Sequence, residues 1–256
     1  AYGRSEELIG RAFAGRSRPI IATKVTMRDA DGTPWTGGRI APEIRASIDR
    51  SRRLLGVETL DLVQIHNAEA AIAGDEDLLE AMQDHLLAGD VRYWGASTYG
   101  EHAPLAVINQ GPPLRTLQIA YSVLDRTLES QVIPACCDAG MGLILRSVFL
   151  QGILSDRRHS LPEHLVDHLA ELRQAASAVA RIADGLGQQL PAVGLRFALY
   201  ESGAQVALVG TADMAELDTN VDAALAGPLP RDAAAALREI RVVNKSLLNP
   251  GTWPVS

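Results

Sequence analysis

The chain has 256 residues, 47% of them hydrophobic and 21% charged, with a formal net charge of −7. That length and apolar content suit one globular domain of the α/β-barrel size, or two small ones, with a large core. An acidic balance without a basic stripe argues against a nucleic-acid partner, and no apolar run approaches the length needed to cross a bilayer.

The chain opens on Ala1-Tyr2-Gly3-Arg4-Ser5-Glu6, a turn leading into a helix that starts near Ser5. Glu6 and Glu7 fall in its first turn, where acids suit the helix dipole. Six short apolar runs follow, at 20–25, 60–66, 91–97, 116–122, 142–148 and 205–210. Their few charged residues lie toward one end, so both faces are expected to be buried, as in a parallel sheet. Segments of helical period lie between them, among them 42–55 and 75–87. Pro42 comes early in its helix, where a missing N–H does no harm, and Asp75 is placed to cap the next.

The longest interval between strands, 154–191, carries Asp156, Arg157, Arg158 and His159 and then one amphipathic helix expected over 162–186. Two further helices, near 213–226 and 231–245, and a polar tail close the chain. Alternation of this kind predicts right-handed βαβ units. A closed parallel barrel needs eight strands, two more than the sequence displays. A doubly wound sheet would show a Gly-rich phosphate turn after its first strand, and no Gly-x-Gly-x-x-Gly follows a strand here. Cys136 and Cys137, the only cysteines, are adjacent and lack metal-ligand spacing. They read as reduced thiols of a cytoplasmic protein without a metal, and no signal-peptide pattern contradicts that.

Three proton-active side chains stand at successive strand or loop ends: Tyr2, Lys24 and His66. A phenol is a poor acid near neutrality unless a cation lies beside it, and an ammonium such as that of Lys24 lowers its pKa. His66 could orient a carbonyl oxygen or share a proton with the phenol. Taken singly, each residue has an ordinary reading: a surface tyrosine, a solvated lysine head on a buried stem, a satisfied core histidine. Together and in this order they point to one site at the strand ends of a barrel.

The motifs Tyr2-Gly3-Arg4-Ser5-Glu6, Thr23-Lys24, Asp61-Leu62-Val63-Gln64-Ile65-His66 and Gly95-Ala96-Ser97 resemble those of the aldo-keto reductases. Later segments agree: Leu117-Gln118-Ile119-Ala120-Tyr121-Ser122, Arg146-Ser147-Val148-Phe149-Leu150-Gln151-Gly152, and the stretch from Val209-Gly210-Thr211 to Asn220. The resemblance covers essentially the whole chain. It implies a (β/α)8 barrel, a single domain over 1–256, that reduces an aldehyde or ketone with NADPH or NADH. Tyr2 would be the general acid, Lys24 its pKa partner and His66 the orienting group. Ser97, Thr98 and Gln118 would hold the nicotinamide carboxamide. Arg146, Ser147, Phe149, Gln151 and Gly152 would lie beneath the nicotinamide and pyrophosphate. Gly210, Thr211, Glu216 and Asn220 would hold the adenosine end. The partner implied is a small carbonyl compound, and the sequence bears no mark of an oligomeric state.

The chain departs from the family pattern at four places. The first strand, first helix, second strand and the aspartate that completes the family's tetrad would all precede Tyr2, so an N-terminally incomplete barrel is expected. Arg146 stands where an aromatic ring commonly stacks on the nicotinamide; a planar guanidinium can stack as well. Residues 206–230 hold no Lys or Arg but include Asp213, Glu216 and Asp218, which suit ribose hydroxyls better than a 2′-phosphate. Weaker NADPH selectivity is therefore expected. Thr98 replaces a common asparagine. Substrate walls are expected from loops 27–39 with Trp35, 93–99 with Tyr99, and 154–159. Two other readings compete: a non-catalytic nucleotide-binding barrel or inactive fragment, and a barrel lyase using Lys24 as a Schiff-base nucleophile.

Overall fold

The computed structural model describes residues 3–254. They form two compact units. One runs to Gln118 and is rejoined by Ala135–Gly142; the other comprises Ile119–Pro134 and the chain from Leu143.

The first unit alternates helix and strand: α1 (Ser5–Phe13), β1 (Ala22–Thr26), α2 (Ile40–Leu55), β2 (Leu60–His66), α3 (Ala70–Ala73), α4 (Glu76–Leu87), β3 (Val91–Ser97), α5 (His102–Gln110) and, as far as Gln118, β4 (Leu114–Ala120). Parallel pairing joins β1 to β2, β2 to β3 and β3 to β4. Burial explains the periods. In β2 every residue but His66 is buried, as a strand covered on both faces requires. In α2 the buried set Ile40, Ile44, Ser47, Ile48, Ser51 and Leu55 repeats every three or four residues. Each fully buried isoleucine contributes about 1.5–3 kcal/mol. Gly56 ends α2 at φ 67°, a left-handed conformation that favours glycine. Asp75 caps α4 as its position predicts, accepting from the Leu78 amide at 3.0 Å.

Helix α1 is held by its acid. Glu6 accepts hydrogen bonds from Thr23 Oγ1 of β1 and, at 2.7 Å, from Ser51 Oγ of α2. At the start of β2, Asp61 is 5% exposed and is gripped by Arg18, by the Ile21 amide at 3.0 Å and by Arg92 at 3.1 Å. Trp94 is fully buried, its indole N–H donated to the Met82 carbonyl at 3.1 Å.

Helix α6 (Val132–Asp138) follows β4. The second unit then holds β5 (Gly142–Arg146), α7 (Glu163–Val166), α8 (Ala170–Gly185), α9 (Leu190–Glu201), β6 (Val206–Ala207), α10 (Met214–Leu225) and α11 (Arg231–Glu239). β5 and β6 pair in parallel, Ile144 beside Val206 and Leu145 beside Ala207. Phe197 of α9 is fully buried, stacked 6.5 Å from Tyr121 and flanked by the guanidinium groups of Arg126 and Arg238. Arg196 fastens α9 through the carbonyls of Gly227 and Pro228, at 2.8 and 2.6 Å.

Several boundaries differ from the sequence reading. The helix expected over 162–186 is two helices, α7 and α8, because the chain turns between them to bury Leu169 completely. The last helix ends at Glu239 rather than Lys245. Ile240 is extended, and Arg126 takes the carbonyls of Arg238 and Ile240 at 2.7 and 3.1 Å, closing that helix end. β4 starts at Leu114, which pairs with Trp94, two residues before the expected 116. β1 is not buried on both faces: Ile20 is 83% exposed ahead of it, and of its own residues only Val25 is buried.

Candidate active site

The parallel register of the first unit sets several of the candidate residues side by side. Lys24 lies opposite Gln64, Gln64 opposite Gly95, and Gly95 opposite Thr116. One step toward the strand ends, Thr26 lies opposite His66 and Ser97 opposite Gln118. Side chains two apart on a strand share a face. Thr23 turns its hydroxyl to Glu6 of α1, so Lys24 presents the other face, and the alternation carries Gln64, His66, Gly95, Ser97, Thr116 and Gln118 to that same face. Polar side chains thus gather at the C-terminal ends of successive strands, where parallel α/β enzymes place their chemistry.

Of these, Gln64, Ser97 and Gln118 are buried at 1%, 2% and 3% exposure, as is Thr98, just past β3, at 1%. Their backbone is tied down, with the Thr98 amide donating to the Gln118 carbonyl at 3.0 Å and the Ala68 amide to the Ser97 carbonyl at 2.9 Å. Oε1 of Gln118 is buried and meets no hydrogen-bond partner among the described residues. Lys24, His66 and Tyr99 are exposed at the strand ends. After His66 the backbone of Asn67 takes φ 53°, an uncommon conformation that concentrates at functional sites. Tyr2 lies outside the described residues. Trp35 sits in a loop folded on itself. Its indole donates to Asp29 Oδ1 at 2.8 Å, and a bridge pairs Arg28 with Pro34.

The second unit carries the remaining predicted residues. Arg146 ends β5; its carbonyl accepts from the Tyr121 amide at 3.1 Å and its guanidinium donates to Ser147 Oγ at 3.3 Å. Beyond it, Ser147, Leu150 and Gln151 have φ of 61°, 44° and 54°, and Gly152 has φ 93°. Phe149 lies within this run, half-buried. So dense a cluster of left-handed residues after one strand is the backbone strain of a constrained loop. Burial pushes the Asp125 carboxyl up from its ordinary range, against the pull of Thr127 and the nearby Arg146 and Lys245.

After β6, Gly210 and Thr211 lead into α10. Thr211 donates to Glu216, the Asp213 amide donates to Thr211 Oγ1 at 3.0 Å, and Asp213 caps the helix through Ala215 at 2.7 Å. Asn220 is 7% exposed. The Arg157–His159 group forms a short 3₁₀ turn. Arg158 bends back to the Ser155 carbonyl at 2.9 Å while Arg157 and His159 face solvent. Among the described residues no group of His, Cys, Asp and Glu could hold a metal, and no helix is long and apolar enough to cross a membrane.

The sequence model of the Aldo/keto reductase family matches residues 1–242. This chain belongs to the aldo/keto reductase family. The uncharacterized oxidoreductase YrpG of Bacillus subtilis is 31% identical over 167 residues, 60% of this chain and 51% of that protein. Aldo-keto reductase YhdN of the same organism is 24% identical over 85% of this chain and 70% of its own length. D-threo-aldose 1-dehydrogenase of a Pseudomonas species is 28% identical over 78% and 62%. The chain therefore spans about half the length of the first of these relatives.

Two solved structures share the fold. The holo form of aldo-keto reductase AKR11C1 from Bacillus halodurans superposes with a TM-score of 0.76 at 24% identity, over 92% of this chain and 77% of its own. Glycerol dehydrogenase AKR11B4 from Gluconobacter oxydans gives 0.75 at 22%, over 100% and 80%. The fold is thus that of the family's (β/α)8 barrel, with six parallel strands among the described residues.

Two residues escaped the sequence reading. Gln64 and Thr116 share the face of Lys24, yet each sits within a run that reads as plain strand. The available signal was an amide four residues into a strand that is otherwise apolar through Ile65 apart from its opening aspartate. A second signal is lysine usage: Lys24 and Lys245 are the only lysines in the chain, so Arg does nearly all of the cationic work. A lysine kept at a strand end under that bias marks a position where a titratable ammonium differs from a guanidinium.

Proposed function

We propose that this chain reduces an aldehyde or ketone with NADPH or NADH, or runs the reverse alcohol oxidation, as one domain of its family. The observation that carries the reading is Gln118. Its buried Oε1 is an acceptor without a donor among the described residues, a condition that costs about 1–3 kcal/mol. The NH₂ of a nicotinamide carboxamide is a donor of the kind it lacks. The hydroxyls of Ser97 and Thr98, buried beside it, are proposed to hold the same group.

When bound, the cofactor supplies the hydride. The chain's own residues bind and orient. Arg146, Ser147, Phe149, Gln151 and Gly152 are proposed to serve the nicotinamide ring and the pyrophosphate, on a loop held in shape by the Leu150 and Gly152 amides, which donate to the Ser147 and Phe149 carbonyls. Gly210, Thr211, Glu216 and Asn220 are proposed for the adenosine end. Tyr2 is the proposed proton donor, Lys24 the cation that lowers its pKa, and His66 the donor that aligns the substrate oxygen, so that charge is stabilised where it develops. Trp35 and Tyr99 are proposed as substrate walls. Glu216 is engaged by Thr211 and no cation lies between 206 and 230, which supports use of NADH alongside NADPH. Relatives named as an aldose dehydrogenase and a hemiacetal acetate reductase support carbonyl and alcohol chemistry as the class.

The test is a paired titration with NADPH and NADH followed by tryptophan fluorescence. Saturable binding is expected, weakened about tenfold in Gln118→Leu by loss of one hydrogen bond. Tyr2→Phe is expected to abolish reduction while binding persists. A folded chain that binds neither nucleotide overturns the reading, and binding without turnover by the parent chain replaces it with a nucleotide-binding role.

A further inference from the structure

β2 contains a side chain that its packing does not explain. Gln64 is 1% exposed, and its Nε2 has no hydrogen-bond partner among the described residues. A buried amide left unsatisfied is destabilising, whereas Met or Leu would fill the same volume without that penalty. The register places Gln64 directly opposite Lys24 on one side and Gly95 on the other, all on the face that carries His66 and Gln118. Beyond Gly95 comes Thr116, whose Oγ1 is likewise buried and unpartnered among the described residues. A Cβ added at Gly95 would strike this hydroxyl and the Thr116 carbonyl, so Thr116 leans over the glycine. The bare glycine leaves Gln64 and Thr116 no side chain between them.

We propose that Gln64 is a positioning residue for Lys24, an inference that rests on the reading of Lys24 as the partner of the proton donor. The ammonium of a lysine has donors only, so a neighbouring amide offers it the oxygen. With Oε1 of Gln64 accepting from Lys24 Nζ, its NH₂ end turns across Gly95 and donates to Thr116 Oγ1. One orientation thus gives a partner to both orphaned atoms and fixes the ammonium over the site. A hydrogen bond to the charged form favours that form, so Gln64 keeps Lys24 protonated to higher pH. Of the ionisable groups on elements packed against β1, His66 shares the Lys24 face. Glu6 of α1 lies on the opposite face with Thr23 and Ser51, and Asp61 is held by Arg18 and Arg92 at the far end of β2. Those of α2 include Glu43, paired with Arg39, and Asp49, paired with Arg52.

Because the chain has two lysines, reductive methylation with ¹³C-formaldehyde labels only Lys24, Lys245 and the terminal amine, and Lys245→Arg assigns the signals. The Lys24 midpoint is expected to fall by roughly half to one pH unit in Gln64→Met and to rise in Gln64→Glu, which sets a charge beside the ammonium. In the parent chain the Gln64 side-chain ¹³Cδ shift is expected to titrate with Lys24. An unmoved midpoint in a folded variant, or a ¹³Cδ shift flat through the Lys24 titration, overturns the proposal. None of these signals needs turnover, so a failed reductase assay leaves the Gln64 result intact. In a chain that does turn over, the basic limb of the kcat profile moves with the Lys24 midpoint.

Discussion

Tyr121 donates its phenolic hydrogen to Oε1 of Glu129 at 3.0 Å, and Arg238 donates to the same oxygen at 2.7 Å. Burial, followed by the Glu129 charge, pushes the phenol far above its ordinary range, so it stays a donor through the alkaline region. Tyr121→Phe is expected to cost about 1–2 kcal/mol by removing a hydrogen bond to a charged acceptor. Among the described residues, Arg238→Ala leaves Glu201 without its cation and Glu129 with Arg126 as its one cation, at 3.9 Å. Its expected cost is about 1–3 kcal/mol, held down by the solvent that reaches Arg238. Urea unfolding at pH 7 measures both, and a Tyr121→Phe midpoint equal to the parent's would contradict the first.

Acid should loosen the first unit through Asp61. The hydrogen bond from Arg18, aided by the Ile21 amide and the charges of Arg18 and Arg92 and opposed by burial, holds its carboxyl below the usual range. A depressed folded pKa contributes stability that is present above the unfolded value, near 3.9, and is lost as pH falls through the folded one. Asp61→Asn is expected to cost about 1–3 kcal/mol at pH 7, and the cost is expected to shrink as pH falls below the unfolded value. A cost that stays constant through the acid range would rule this out.

The two adjacent cysteines should behave differently. Cys136 is buried and its sulfur donates to the Met141 carbonyl, while Cys137 is exposed. Burial, reinforced slightly by Cys137, pushes the Cys136 thiol up to about 11. A short maleimide pulse on the native chain is expected to label Cys137 alone, with Cys136 reacting only in urea, as read by peptide mass spectrometry. A raised folded pKa contributes stability below the unfolded value of about 8.5 that is lost as pH rises toward 11. Cys136→Ala should therefore flatten the alkaline decline in stability.

Charge at position 216 should set nucleotide choice. Glu216→Lys removes an acid and adds a cation in a stretch that has none. The ratio of NADPH to NADH affinity is expected to rise about tenfold, a change of ~1.4 kcal/mol in line with reversing one solvent-screened charge. Fluorescence titrations of parent and variant decide it; an unchanged ratio would remove residue 216 from the adenosine end.

Local signals carried the strands and the site furthest. β2 and β3 have the bounds read from their apolar runs, and Asp75 and Asp213 cap the helices they were expected to start. Lys24 and His66 stood out as candidates because a parallel strand puts its chemistry at one end, and Ser97 and Gln118 through the family resemblance; the register sets the four on one face. What escaped was non-local. Nothing within 231–245 announces that Arg126, more than a hundred residues earlier, takes the carbonyls that end α11. Helical periodicity continues through Leu169, and only its complete burial reveals the break. Asp61 was legible as a motif residue but not as the meeting point of Arg18 and Arg92, since neither spacing corresponds to a local repeat. Gln64 was hidden by its setting, because one amide in an apolar run reads as tolerated until register shows its neighbours.

The loop between β1 and α2 builds its own closure. Asp29 receives the Trp35 indole and the Arg39 guanidinium, its amide reaches the Thr33 carbonyl at 2.8 Å, and the Trp35 amide returns to Met27 at 2.9 Å. These bonds begin and end between Met27 and Arg39, so the strand before and the helix after are spared most of the work of shaping it. Such a segment can be exchanged as a cassette. Selection or engineering could change the sequence of this loop while leaving the strand that carries Lys24 unaltered.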